Sequence, residues 1–500
     1  MKIIIQAGGK GSRLEWLTHN KPKCLVSVNN LPIIFYIFKK FPTAEFKIIS
    51  DYKSDVLKRY LDIFATNYNY EIIVTKEAGT ASGIKIALQN FSNDEAFMII
   101  WCDLILSNDF NIPSEIDNYI GISKDFECRW SYINNEFIKE PSKEDGVAGL
   151  FIFKNKEVLK NIPEKGAFVP WLKTQNIKFK RLNLNKTKEI GTLLSYSDNN
   201  ININKCRPFN SINFVDDIVI KQAITEQGKK IAIDECAWYK HVNNLGFNNI
   251  PELYEYKPLT MKKIEGKNIY EYDCLTIGQK KEILEKIIAS LRELHDLESA
   301  KPANNEDVTE TYITKTFARL EKVRNLIPFA NQEFIKINGQ YYKNIFFYKK
   351  EFIDVISKFF PTEFKLIHGD CTFSNILFDT FNMRTVLIDP RGYFGNTKLY
   401  GDVDYDWAKI YYSLKGDYDQ FNLKKFTLDI KEKEIEFAIK SNNWTDMEDY
   451  FFELLPEVNR TKIKFLHTII WLSLTTYSWD DYDSICGAFY NGIIKLNEVL

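Results

Sequence analysis

The residues best suited to chemistry lie between positions 367 and 392. The run reads Ile-His-Gly-Asp-Cys-Thr-Phe-Ser-Asn and, after a short break, Val-Leu-Ile-Asp-Pro-Arg-Gly. It sets out Asp370, then Asn375, then Asp389. Phosphoryl transfer from ATP needs this inventory: a carboxylate to orient the attacking hydroxyl and take its proton, and oxygen donors to hold Mg2+ on the phosphates. A second set lies at the other end of the chain, in Gly8-Gly9-Lys10-Gly11-Ser12-Arg13. A glycine-rich turn bares several backbone N–H groups, which suits a triphosphate. Arg13 and the later Lys21-Pro22-Lys23 add positive charge beside that turn.

Each set needs elements to hold it. Apolar runs over 365–367 and 386–388 predict short buried strands, each with a carboxylate at its C-terminal end. The glycine turn follows a strand-like run over 1–7, and strands are expected over 47–50 and 71–75 around a helix over 54–63. A helical pattern runs from Gly79-Thr80-Ala81 to Leu88. An apolar strand over 97–101 leads to Asp103. Strand and helix alternate, so the first part of the chain is expected to be α/β.

His368-Gly369-Asp370, Asn375 and Asp389 together resemble the signature of the aminoglycoside phosphotransferase and choline kinase group, relatives of the protein kinases. The resemblance implies an α+β bilobal fold with Asp370 as catalytic base and Asn375 and Asp389 as metal ligands. It also implies that Lys221, in the alternation Ile218-Val219-Ile220-Lys221, pairs with nucleotide phosphates. Glu235, within a helical pattern over 231–242, would hold it. The segment 259–266 resembles the hinge that receives adenine, and a long helix is expected over 275–297 with His295 structural. Asp402 and Asp406 are expected to cap the next helix or to support the catalytic loop. The aromatics Trp444, Tyr450, Phe451, Trp471, Tyr477 and Trp479 are expected to build the lobe around the acceptor pocket.

The N-terminal set resembles the nucleotidyltransferases that make nucleotide-sugars and CDP-alcohols, whose signature is G-G-x-G-x-R followed by P-K. That resemblance implies a Rossmann-like mixed sheet in which Gly8, Gly9 and Gly11 shape the loop over the triphosphate. Arg13 would bind its phosphates and Lys23 those of the incoming substrate. Gly79, Thr80 and Ala81 would contact the base and the reacting phosphates, and Asp103 would be the first Mg2+ ligand. Lys139-Glu140 reverses the usual acid-lysine order of the acceptor segment, so neither is assigned. Glu189-Ile190-Gly191-Thr192 stands where the family has D-x-G-T, which leaves Glu189 either a second metal ligand or a surface-turn residue.

Five hundred residues exceed one ordinary core. Two domains are expected, at 1–200 and 207–500, the second divided into lobes at 207–265 and 266–500. The Asn-rich stretch 196–205 lacks periodicity and reads as the linker. A formal charge of −1 offers no field for nucleic acid. Eight cysteines without a C-x-x-C pair suggest reduced thiols in a cytoplasm. The apolar run over 465–474 is too short for membrane insertion.

The two resemblances together imply a bifunctional enzyme. One domain phosphorylates a small hydroxyl compound with ATP and Mg2+, and the other transfers a nucleotidyl group from CTP or UTP to the resulting phosphate, releasing pyrophosphate. The expected product is an NDP-sugar or CDP-alcohol for surface polysaccharide. The alternatives are a choline or ethanolamine kinase joined to a cytidylyltransferase, or one active domain with the other as a binding or regulatory module. Expected partners are the acceptor and its phosphate, and a homo-oligomer is left open.

Overall fold

The computed structural model describes residues 1–75, 79–200 and 210–500. Close contacts divide the chain into two units, Met1–Ile203 with Trp479–Asp483, and Asn204–Ser478 with Ser484–Leu500.

The first unit is built on a nine-stranded mixed sheet. Its middle strand, Lys2–Gln6, is buried at nearly every position around an Ile3-Ile4-Ile5 run and lies parallel to Glu45–Ser50 on one side and Phe97–Trp101 on the other. Such continuous apolar strands suit a sheet covered on both faces. Asn69–Val74 extends the parallel part, while Gly146–Phe153 turns antiparallel against Phe97–Trp101 and Tyr119–Ser123. Helices Ile33–Lys40, Ser54–Phe64 and Ala81–Leu88 connect these strands. The Asn-rich stretch departs from expectation: Leu193–Asn199 is a helix. Thr192 and Ser195 form a reciprocal capping box that satisfies its first amides, and the Asn199 side chain bonds back to the Ser195 carbonyl at 2.8 Å. The rest of the stretch, 201–205, lies outside the described residues.

The second unit starts with an antiparallel sheet in the order Asn210–Val215, Ile218–Ala223, Leu259–Lys262, Leu253–Tyr256. Helix Glu226–Asn244 begins at a Thr225 N-cap and carries Glu235. A small antiparallel sheet of Lys267–Asn268, Ile376–Asp379 and Arg384–Leu387 follows in space. Helices Ile277–His295, Lys315–Val323, Val403–Leu414 and Arg460–Leu474 are among the longer elements of the remainder. Trp444, Phe451 and Trp471 are buried in this unit. Trp479 is not part of it: its ring meets Phe35 edge-on at 5.5 Å within the first unit. Among the described residues no helix is long and apolar enough to cross a membrane.

Candidate active sites

In the first unit, strand Lys2–Gln6 runs out into the glycine turn, and Gly11 closes it with φ of 66°. A Cβ at Gly11 would come within 3.0 Å of Thr18 and 3.1 Å of the Lys23 side chain, so the bare backbone lets the turn sit against Lys23. Gly8 lies beside Asp51, and Gly9 is exposed. Pro22 leads into a short turn, Lys23–Leu25, which buries the lysine stem. The Lys23 ammonium is ion-paired with the Asp103 carboxylate. Burial works against that charge, but Asp103, with Cys102 and Glu189, outweighs it and holds Lys23 above the usual lysine range.

Backbone pairing brings the second acid to the same place. Strand Lys188–Glu189 lies antiparallel to Leu104–Ile105, and the Ile190 N–H donates to the Asp103 carbonyl at 2.9 Å. Glu189 therefore sits on a short strand, and its side chain is only 23% exposed. The outward-facing surface turn is ruled out. A Cβ at Gly191 would fall 1.8 Å from a Glu189 carboxylate oxygen, so the glycine makes room for the longer acid. Burial, and then the Asp103 charge, push the Glu189 carboxyl up, against the pull of Lys23 and Arg13. The half-exposed Arg13 guanidinium stands 3.9 Å from Glu189.

Other expected residues have different surroundings. Thr80 accepts the Phe168 amide on its hydroxyl at 2.8 Å, and the buried Ala81 donates its amide to Gly166 at 3.0 Å. Gly79 packs against the Gly166 backbone. These three residues tie a loop to the sheet, and the Ala81 side chain is too buried to touch a base. Lys21 does not add charge to the glycine turn, as its spacing suggested. It is buried and paired with Asp481 at 2.8 Å and with Asp483.

In the second unit, Lys221 reaches Glu235 and Asp389, each at 2.8 Å. Burial disfavours the Lys221 charge, and the two acids outweigh it, holding the lysine above its usual range. Burial pushes Glu235 up. Asp389 has φ of 57°, in the left-handed region that Asp tolerates better than most residues, and its amide donates to the Tyr239 hydroxyl at 3.2 Å.

Asp370 is tied to the same strand pair. The Asn375 side-chain amide donates to the Asp370 carbonyl at 2.7 Å and to its carboxylate at 3.2 Å, while the Asn375 carbonyl accepts the Ile388 amide at 2.9 Å. His368 latches both ends of the loop. Its Nε2–H donates to the Ile388 carbonyl at 3.0 Å, and its Nδ1 accepts the Asp370 amide at 3.2 Å. Burial lowers the His368 pKa, in keeping with this neutral form. Beneath the loop, the buried Asp406 carboxylate accepts the amides of His368 and Gly369 at 2.9 and 2.7 Å, with His295 at 3.1 Å. Asp402 caps helix Val403–Leu414 through the Asp404 amide.

Sequence reasoning missed Lys409, whose ammonium lies 2.8 Å from the Asp370 carboxylate. The signal was present: Lys409 stands three residues beyond Asp406, on the same face of one helix.

Among the described residues no group of three or more His, Cys, Asp or Glu side chains gathers as a ligand set. Mg2+ on a nucleotide commonly takes one or two protein oxygens and fills its shell with phosphate and water. Asp103 and Glu189, mutually repelling hard donors, fit that requirement. Asn375 and Asp389 supply oxygen donors of the same kind.

Residues 2–123 match the family described as nucleotidyl transferase. The first unit has a nucleotidyltransferase fold. The matched segment contains the glycine turn, Lys23 and Asp103 but stops short of Glu189 and of the whole second unit. The chain is 31% identical over 128 residues to mannose-1-phosphate guanyltransferase of Emericella nidulans, a span covering 24% of this chain and 35% of that one. It is 43% identical over 65 residues to CTP:phosphoglutamine cytidylyltransferase of Campylobacter jejuni, covering 12% and 26%. A bifunctional sugar-1-phosphate nucleotidylyltransferase/acetyltransferase of Sulfurisphaera tokodaii is 29% identical over 170 residues, covering 34% and 38%. The chain thus spans between 26% and 38% of the length of these curated relatives.

Proposed function

We propose that the chain is a two-site enzyme in which the second unit phosphorylates a small hydroxyl compound and the nucleotidyltransferase unit attaches a nucleotide to that phosphate. The observation that carries the first-unit half is the pairing that sets Glu189 beside Asp103 with Lys23 between the acids and the glycine turn. The second-unit half is supported by Lys221 bridging Glu235 and Asp389 while Asn375 ties the Asp370 loop to the adjoining strand.

In the second unit, the acceptor oxygen attacks the γ-phosphorus of ATP and the bond to the bridging oxygen breaks, releasing ADP. Asp370 orients the hydroxyl and takes its proton, and Lys409 fixes that carboxylate in place. Lys221 holds nucleotide phosphates, with Glu235 keeping its ammonium in position. In the first unit, an oxygen of the phosphate monoester attacks the α-phosphorus of CTP or UTP, and pyrophosphate departs. The glycine turn and Arg13 hold the triphosphate, and Lys23 neutralises charge on the attacking phosphate. At either site Mg2+ bound by the acids would offset the negative charge of the phosphates.

Relatives named for mannose-1-phosphate, sugar-1-phosphate and phosphoglutamine all take a phosphate as acceptor, which supports a phosphate monoester here. The test is 31P NMR of the purified chain with Mg2+, a supplied monoester and each NTP in turn. Pyrophosphate and a nucleotide conjugate should form together. If no NTP yields pyrophosphate with any sugar phosphate or amino-alcohol phosphate, the reading is wrong.

A further inference from the structure

Around the Tyr405 ring, which lies 6.0 Å from Arg391, 5.7 Å from Lys409 and 6.2 Å from the Tyr312 ring just before Lys315, stand cations of which three are left unused by the chemistry above. Lys315 and Arg319 lie one turn apart on helix Lys315–Val323. Arg391 follows Asp389, and Lys409 comes from helix Val403–Leu414. Lys409 is matched by Asp370. The other three are partly buried, and among the described residues none is ion-paired with a carboxylate. Arg319 donates to the Ser473 carbonyl at 2.7 Å. Arg391 lies 4.5 Å over the Tyr393 ring and 3.4 Å from the Tyr405 hydroxyl.

The electrostatic consequence shows at Lys315. Burial, then the charges of Arg391, Arg319 and Lys409, lower its pKa to about 6, and Glu310 offsets them only weakly. Partly buried cations that disfavour one another's charge in this way favour a bound anion, which would restore the charge on Lys315. The backbone is also irregular here. A π-helical turn, Glu310–Thr314, leads directly into Lys315, and such turns are common at functional sites.

We propose that Lys315, Arg319 and Arg391 receive an anionic group, a carboxylate or a phosphate, carried by the hydroxyl acceptor that Asp370 activates. The inference rests on the phosphotransferase reading of this unit and narrows it. Choline and ethanolamine are cations and would be repelled. The monoester passed to nucleotidyl transfer would then carry a second anionic group besides its phosphate.

The test uses the full chain with ATP and Mg2+ and three acceptor classes: glycerate and sn-glycerol 3-phosphate, neutral glycerol and glucose, and cationic choline and ethanolamine. ADP formation is measured for each. An anionic acceptor should have a KM at least about tenfold below that of glycerol, and comparing glycerate with glycerol phosphate identifies which anion fits. K315M and R319M should each raise that KM about tenfold or more while KM for ATP stays constant. Melting curves would show that both variants fold. Preference for glycerol, glucose or choline overturns the inference and leaves phosphoryl transfer standing. A rise in KM for ATP instead of the acceptor also overturns it, by assigning the cations to the nucleotide. If no class gives Asp370-dependent ADP, the phosphotransferase reading fails and takes the inference with it.

Discussion

The two sites solve opposite charge problems. In the nucleotidyltransferase unit two acids, Asp103 and Glu189, draw on a single buried lysine, and Glu189 is left with a raised pKa. In the second unit Lys221 is likewise shared, by Asp389 and Glu235, but Asp370 has Lys409 to itself and further cations remain. The cations left over are Lys315, Arg319 and Arg391. On the proposed reading a divalent cation would offset the acids of the first site, and nucleotide phosphates and an anionic acceptor would offset the cations of the second.

The largest test of this contrast is Asp370→Asn. It should lower phosphoryl transfer by about 10²–10⁴-fold, the range for a lost general base, while nucleotidyl transfer to a supplied monoester is unchanged. Next is Asp406, whose buried carboxylate supports the catalytic loop through two amides and His295. Asp406→Ala should destabilise the second unit by about 3–5 kcal/mol, read from denaturant unfolding, because the buried donors lose their partner. Asp103→Asn should cut pyrophosphate release by about 10²–10³-fold and leave ADP formation intact.

The smallest effect sharpens the contrast most. The Glu189 carboxyl holds its proton more tightly in the folded than in the unfolded state. Its stabilising contribution is thus complete below the ordinary glutamate pKa and is lost as pH rises through the raised folded value. At pH 8 without Mg2+, Glu189→Gln should be more stable than the parent, read as a higher Tm. The difference should shrink at pH 4 and reverse when Mg2+ and nucleotide are added.

Much of this was legible in the sequence where chemistry and backbone signal coincide. The glycine turn, Asp103 at the end of an apolar strand, and the Asp370–Asn375–Asp389 spacing all lie close to short buried strands. The partnership of Lys221 with Glu235 was legible from a strand followed by a helix. What escaped reading depends on contacts distant in sequence. Lys21 and Lys23 look equivalent in Lys-Pro-Lys, yet one is taken by Asp481 and the other by Asp103. The helix that carries Lys315 and Arg319 was not singled out in the sequence, and only tertiary packing brings Arg391 and Lys409 to them. Helix Leu193–Asn199 was hidden because local capping, not apolar spacing, starts it.

The central claim is that each unit runs its own phosphate chemistry, and a cross-feeding assay tests it most directly. Asp103→Asn with ATP, Mg2+ and an anionic hydroxyl compound should accumulate the monoester. Isolated from that reaction and given to Asp370→Asn with an NTP, the monoester should yield pyrophosphate and the nucleotide conjugate. Loss of both steps in either variant, or of neither, would contradict the account.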